Sequence, residues 1–313
     1  MAYGIWSDWQ IYRPPSADLP GGRNVERDIT REVLSAINGL TLLGPADGVI
    51  WRGQADADWR LESKMGRFGL TAGEMEHQER AMLRQARQIG ADNSQHLGDW
   101  EILARLRHHG AATRLIDFTS DPLVALWFLC NDQSPVADQT ARQRDGVLLA
   151  LRRSFVTDVP TPYLRNYGKT LTAAGNLLYR TPPIDPRIAA QRGVFAFAVA
   201  PLTRAQCESS ELGVGEMPEG WRQHAPTRLA RVCDTPKWAG SPGRPIEQFP
   251  NIVGIAVPAR VKQLILDVLE TSYGFTWAAM FPDFAGMGEA YAEPKKVRRH
   301  PVRTPATKGR PSP

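Results

Sequence analysis

Residues 108–130 constrain the fold most tightly, because they set ionisable and hydroxyl groups between two apolar elements. His108-His109-Gly110-Ala111-Ala112-Thr113-Arg114 leads into Leu115-Ile116-Asp117-Phe118-Thr119, where Leu115, Ile116 and Phe118 predict a short strand. Ser120 follows. Asp121-Pro122 then predicts a helix start, with aspartate as N-cap and proline at the first helical position, continued by the apolar run Leu123 to Cys130. Buried hydroxyls and charges at such a junction must find partners, since leaving them unpaired costs several kcal/mol. The junction is therefore either a structural hydrogen-bond hub or a binding site.

The remaining pattern is coarser. Val25, Ile29, Val33, Leu34 and Ile37 recur at helical spacing, predicting an amphipathic helix over 25–40. Further helices are predicted over Glu74–Ile89, over Trp100–His108 with Asp99 as cap, and over Ala259–Leu269. Strands are predicted at Val49–Gln54, Gly146–Leu151, Gly193–Val199 and Ile252–Val257. Residues 157–186, with many prolines and tyrosines, predict a long excursion, and residues 203–245 an insertion or loop. Helices dominate the first half and strands the second. That order predicts an α+β fold: one domain with a helical N-terminal half and a small mixed or antiparallel split sheet.

Charge divides the chain. Seven Lys or Arg and no acid lie between Pro294 and Pro313, so removing them from the net +5 leaves the preceding residues at −2. The expected organisation is a domain over 1–293 and a disordered basic tail over 294–313. Such a tail is either a solubilising terminus or a salt-sensitive contact to nucleic acid. Three widely spaced cysteines, Cys130, Cys207 and Cys233, argue against a disulfide framework or a zinc knuckle and fit a reducing, cytoplasmic compartment. The first residues lack the basic and apolar pattern of a secretory leader, and no apolar run reaches the length of a membrane span, so no membrane association is expected.

Four ordered blocks carry a family resemblance. They are Trp51-Arg52-Gly53, the run His108-His109-Gly110 through Thr119, the stretch Arg187-Ile188 through Gln191, Gly193 and Phe195, and Phe281-Pro282-Asp283 with Gly286 after it. The chain resembles the FRG domain family, named for an aromatic-Arg-Gly motif.

A more distant resemblance, to ADP-ribosyltransferases, concerns three short pieces. These are Arg52 on a first strand, Phe118-Thr119-Ser120 before an apolar helix, and Gln191 at the mouth of a later strand. It implies NAD as cofactor, with an arginine on the pyrophosphate and stabilisation of an oxocarbenium-like centre. The catalytic candidates are Arg52, His109, Thr119 and Gln191, and the cofactor-binding candidates Arg52, Gln54, Thr113, Arg114, Asp117 and Ser120. Each has a plainer use. Arg52 pairs with Asp117 in the core, Thr119 and Ser120 cap the helix, His109 is a structural imidazole, and Arg114 buries its stem against a carboxylate.

Gln191 stands where many such transferases place a glutamate, and a glutamine cannot act as a base. An acid reaching the site would favour catalysis; Glu208, Glu211 and Asp283 are the candidates. Arg105, Arg107 and His108 form either a positive mouth for a phosphorylated ligand or a solvated helix face. Two functions are thus open. One is an NAD-dependent ADP-ribosyltransferase-like enzyme or NAD glycohydrolase acting on nucleic acid or nucleotide, as a bacterial toxin or antiviral defence effector. The other is a non-catalytic nucleotide- or nucleic-acid-binding module.

Overall fold

The structure, a computed structural model, describes residues 9–43, 48–59, 61, 63–90, 97–131, 143–153, 156–159, 176–198 and 252–290. The predicted loop over 203–245 and the basic tail lie outside the described residues.

Among the described residues eight strands form one sheet: β1 (Trp9–Tyr12), β2 (Val49–Gln54), β3 (Leu115–Thr119), β4 (Gly146–Arg152), β5 (Thr157–Asp158), β6 (Asn176–Tyr179), β7 (Gly193–Ala198) and β8 (Ile252–Val257). Their spatial order is β1-β8-β4-β2-β3-β7-β6-β5. The strands from β8 to β6 pair antiparallel, while β1 and β5 add parallel edges. The fold is α+β with a mixed sheet, larger than the small one expected. The additional strands are short, and β6 lies within the predicted excursion.

Helices α1 (Arg23–Leu43), α2 (Ala72–Gln88), α3 (Asp99–His108) and α4 (Pro122–Cys130) belong to the first half of the chain. Behind them come α5 (Pro186–Ala190), α6 (Lys262–Tyr273), α7 (Trp277–Met280) and α8 (Phe284–Ala290). Local chemistry sets their ends. Thr71 and Glu74 form a reciprocal capping box on α2. On α3 the cap is Gly98, whose N–H donates to Glu101, and the expected cap Asp99 instead pairs with Arg87 at 2.6 Å. Asp121 caps α4 as its sequence predicts, accepting from the N–H groups of Leu123 and Val124. That helix is apolar almost all round because it is buried almost all round.

The sheet is split. Six register positions join β2 to β4, from Val49 to Gln54, and five join β3 to β7, yet β2 meets β3 only at Trp51 opposite Thr119. On the β1-β8-β4-β2 half, α1, α4 and α6 pack over Trp51, Leu148, Ala150, Val253 and Ile255. On the other half, side chains of α2 and α3 pack with Leu115, Phe195 and Phe197. Gly53 lets α4 lie close to β2: a Cβ there would stand 2.0 Å from the Ala125 carbonyl oxygen. This contact explains the glycine of the aromatic-Arg-Gly motif as a packing requirement.

Candidate functional site

Where β2 and β3 part, a cavity of about 700 Å³ opens, within the range of small-molecule sites. Arg52 stands at the split. Its Nη1 donates to the backbone carbonyl of Asp117 at 2.7 Å, so the side chain bridges strands that no longer share a ladder. Its Nε faces Gln54 Oε1 at 3.4 Å. Arg52 does not form an ion pair with Asp117; that carboxylate is held by Arg107 at 2.5 Å. Burial lowers the Arg52 pKa to about 10, with Asp117 nearby opposing the shift. It remains cationic at neutral pH, and among the described residues no carboxylate salt-bridges it.

The cavity lining includes the polar residues Arg52, Arg107, His108 and Asp117 and several aromatic residues, among which Trp127, Phe128, Trp277 and Phe281 cluster together. Trp277 and Phe281, one helical turn apart, have ring centroids 4.3 Å apart, and Trp127 lies 5.9 Å from Trp277. Two ties place this C-terminal wall. Arg187 holds Asp283 through both carboxylate oxygens, and Gln191 Nε2 donates to the Met280 carbonyl at 2.9 Å. Arg187 draws the Asp283 carboxyl well below the usual carboxylate range. Two buried donors on cavity residues, Arg107 Nε and Trp127 Nε1, have no hydrogen-bond partner among the described residues. Orphan buried donors are rare in native interiors and call for an acceptor.

The expected site residues separate into two groups. Arg52, Asp117, Thr119 and Gln191 line the cavity. Thr119 and Gln191 do so with their polar atoms engaged: Thr119 Oγ1 donates to the Gln191 carbonyl at 2.7 Å and accepts from the Asp121 N–H. The others do not line it. Gln54 holds the turn below through Nε2 to the Trp59 carbonyl. Buried Thr113 accepts from the Leu115 N–H at 3.3 Å. Arg114 pairs with Glu79 at 2.8 Å in the interior, the structural use foreseen for it. Ser120 is exposed and donates its N–H to the Arg192 carbonyl. His109 is exposed against Asp185, 3.0 Å from its Oδ2.

Its neighbour His108 is the histidine that lines the cavity, together with Arg107. Arg105 instead faces Asp185 at 3.7 Å. Of the proposed acids, Asp283 is bound to Arg187, and Glu208 and Glu211 lie outside the described residues. Among the described residues Asp117 is the carboxylate that reaches the cavity. Sequence reasoning missed Trp277 and the aromatic wall, whose signal was the i,i+4 spacing of Trp277 and Phe281.

Among the described residues no helix is long and apolar enough to cross a membrane. In comparison with known proteins, the family model of the FRG domain matches residues 47–138. That span contains Trp51-Arg52-Gly53 and the whole junction from His108 to α4, and therefore both strands at the split. The blocks around Arg187 and Phe281 lie beyond it. No curated protein and no solved structure gives a match.

Proposed function

The chain carries an FRG domain over residues 47–138, and from this we propose that its split-sheet cavity binds NAD as a substrate and acts on the glycosidic bond to nicotinamide, as ADP-ribosyltransferases do. The observation that carries the reading is Arg52, a partly buried cation at the edge of an aromatic cavity, with no carboxylate in salt-bridge contact among the described residues. A guanidinium so placed is suited to a phosphate oxygen, which it contacts by charge-assisted hydrogen bonds.

The residues present fit a dinucleotide. Arg52 would hold the pyrophosphate, and the Trp127, Trp277 and Phe281 side would receive a planar ring. The unpartnered N–H groups of Arg107 and Trp127 are available to acceptors on such a ligand. NAD supplies an electrophilic ribosyl carbon and a neutral leaving group. Asp117, anchored by Arg107, offers negative charge where positive charge develops on the ribose ring.

Engagement of Thr119 and Gln191 in internal hydrogen bonds favours a second reading, a nucleotide-binding module without turnover. Calorimetry with NAD, ADP-ribose and AMP, on the full chain and on Arg52→Ala, tests the shared premise. Loss of Arg52 is expected to cost about 2–5 kcal/mol of binding to the two pyrophosphate ligands. Equal affinities in the two proteins would remove Arg52 as the phosphate contact. Release of nicotinamide then separates turnover from binding.

A further inference from the structure

The two adjacent histidines have opposite surroundings. His109 caps the end of α3 outside the cavity and is tied to the buried Asp185. His108, the last residue of α3, lines the cavity, its ring standing edge-on to Phe195 with centroids 5.2 Å apart. Among the described residues neither ring nitrogen of His108 has a hydrogen-bond partner. Gly193 leaves space beside one of them, because a Cβ at that position would come within 3.2 Å of His108 Nε2. Among the described residues, His108 thus presents an imidazole without a hydrogen-bond partner in the cavity that Asp117 and Arg107 also line.

Resting on the reading of NAD as substrate, we infer that His108 is the proton acceptor for the oxygen nucleophile that attacks the ribosyl carbon. A bond forms between an oxygen of water, or of an acceptor hydroxyl, and C1′ of the ribose. The bond from C1′ to the nicotinamide nitrogen breaks, and its electron pair departs with neutral nicotinamide. The proton of the attacking oxygen passes to the free imidazole nitrogen and from there to solvent. Asp117, held by Arg107, faces the developing positive charge, so the two cavity groups divide the work.

The surroundings support a neutral imidazole. Burial holds the His108 pKa below its ordinary value, the charges of Arg107 and His109 act in the same direction, and Asp117 and Asp185 oppose them. A neutral ring at physiological pH has a lone pair to offer.

The test uses the full chain with NAD, following nicotinamide release from about pH 5 to pH 9 for the wild type, His108→Gln and His108→Asn. Both variants are expected to lose about 100-fold or more in rate while NAD affinity measured by calorimetry changes little. The wild-type rate should fall on the acid side as His108 protonates, and that limb should be missing from the residual activity of the variants. Proton NMR supplies a readout independent of turnover. One histidine ring resonance, absent from the variants, should change its titration when NAD is added. Unchanged rate and pH profile in a folded variant would overturn the assignment. So would NAD that binds but is never cleaved, with or without nucleic acid present. If NAD does not bind the wild type, the substrate reading itself falls, and this inference with it.

Discussion

Arg52 and Arg114 are both drawn out of solvent near a strand of the same sheet, and the protein treats them in opposite ways. Arg114 is fully matched. Its Nε meets Glu79 Oε2 at 2.8 Å, its backbone N–H meets Oε1 at 2.7 Å, and its guanidinium lies 5.1 Å from the centre of the Phe197 ring. Arg52 meets a backbone carbonyl and an amide oxygen, and the nearest carboxylate belongs to Arg107. A cation satisfied from within is architecture, whereas one satisfied only by neutral dipoles retains an electrostatic demand that an anion can meet. The difference separates the two roles that residue type alone leaves mixed.

The strongest way to break this comparison is Glu79→Ala. Glu79 is wholly buried, so its removal takes from Arg114 the carboxylate hydrogen-bonded to it in the interior and should cost about 3–5 kcal/mol of folding stability. Arg52→Ala should cost folding far less, about 1 kcal/mol, the scale of a single internal hydrogen bond. Denaturant melts of the two variants measure both values. Equal losses would show that Arg52 is a structural cation like Arg114 and would remove the basis for assigning it to a ligand.

Gly53→Ala comes next and sharpens the comparison at the backbone. The added methyl would sit 2.0 Å from the Ala125 carbonyl oxygen and 2.9 Å from Leu129 Cβ, neither of which is the flexible end of a side chain. Overpacking of this kind costs about 1–3 kcal/mol, and because α4 carries Trp127 and Phe128, its displacement should also reshape the cavity. Thermal melts with and without NAD give both effects. A variant with wild-type stability would show that α4 yields without cost and that the motif glycine serves another purpose.

Much of this was legible in sequence where the determinants are local. Asp121-Pro122 sets the start of α4 within three residues, and the alternation of Leu115, Ile116 and Phe118 predicts β3. Arg52 and Asp117 are identifiable because a charged residue within an apolar strand has few alternatives. What was not legible depends on direction and distance. His108 and His109 are equivalent as letters, yet successive residues at a helix end point about 100° apart, and only one faces the cavity. β1 becomes a strand only because β8, far along the chain, offers an edge. Gln191 is adjacent to the cavity as expected, but its amide is spent on Met280, a partner no local pattern reveals. Gln54 and Ser120 fail for the same reason: proximity in sequence to Arg52 and Thr119 does not decide which way a side chain turns.

The smallest expected effect concerns pH and the contrast between the two histidines. The His108 pKa is lower in the folded protein than its ordinary value of 6.5, because burial disfavours the charged ring. The unfolded chain therefore binds its proton more readily as acid is added. Its contribution to stability is complete above pH 6.5 and is lost as the pH falls through that value toward the lower folded pKa. Asp283, depressed by Arg187, acts in the same sense but in a more acidic window, below the carboxylate range. Glu79, raised by burial, acts in the opposite sense and is common to both proteins compared. Subtracting the melting curves of His108→Gln from those of the wild type, between about pH 8 and pH 5.5, isolates the histidine contribution. The wild type should lose stability faster than the variant as the solution is acidified. Parallel curves would mean that the imidazole is no more shielded in the cavity than in the unfolded chain, and the neutral base required at His108 would lose its physical support.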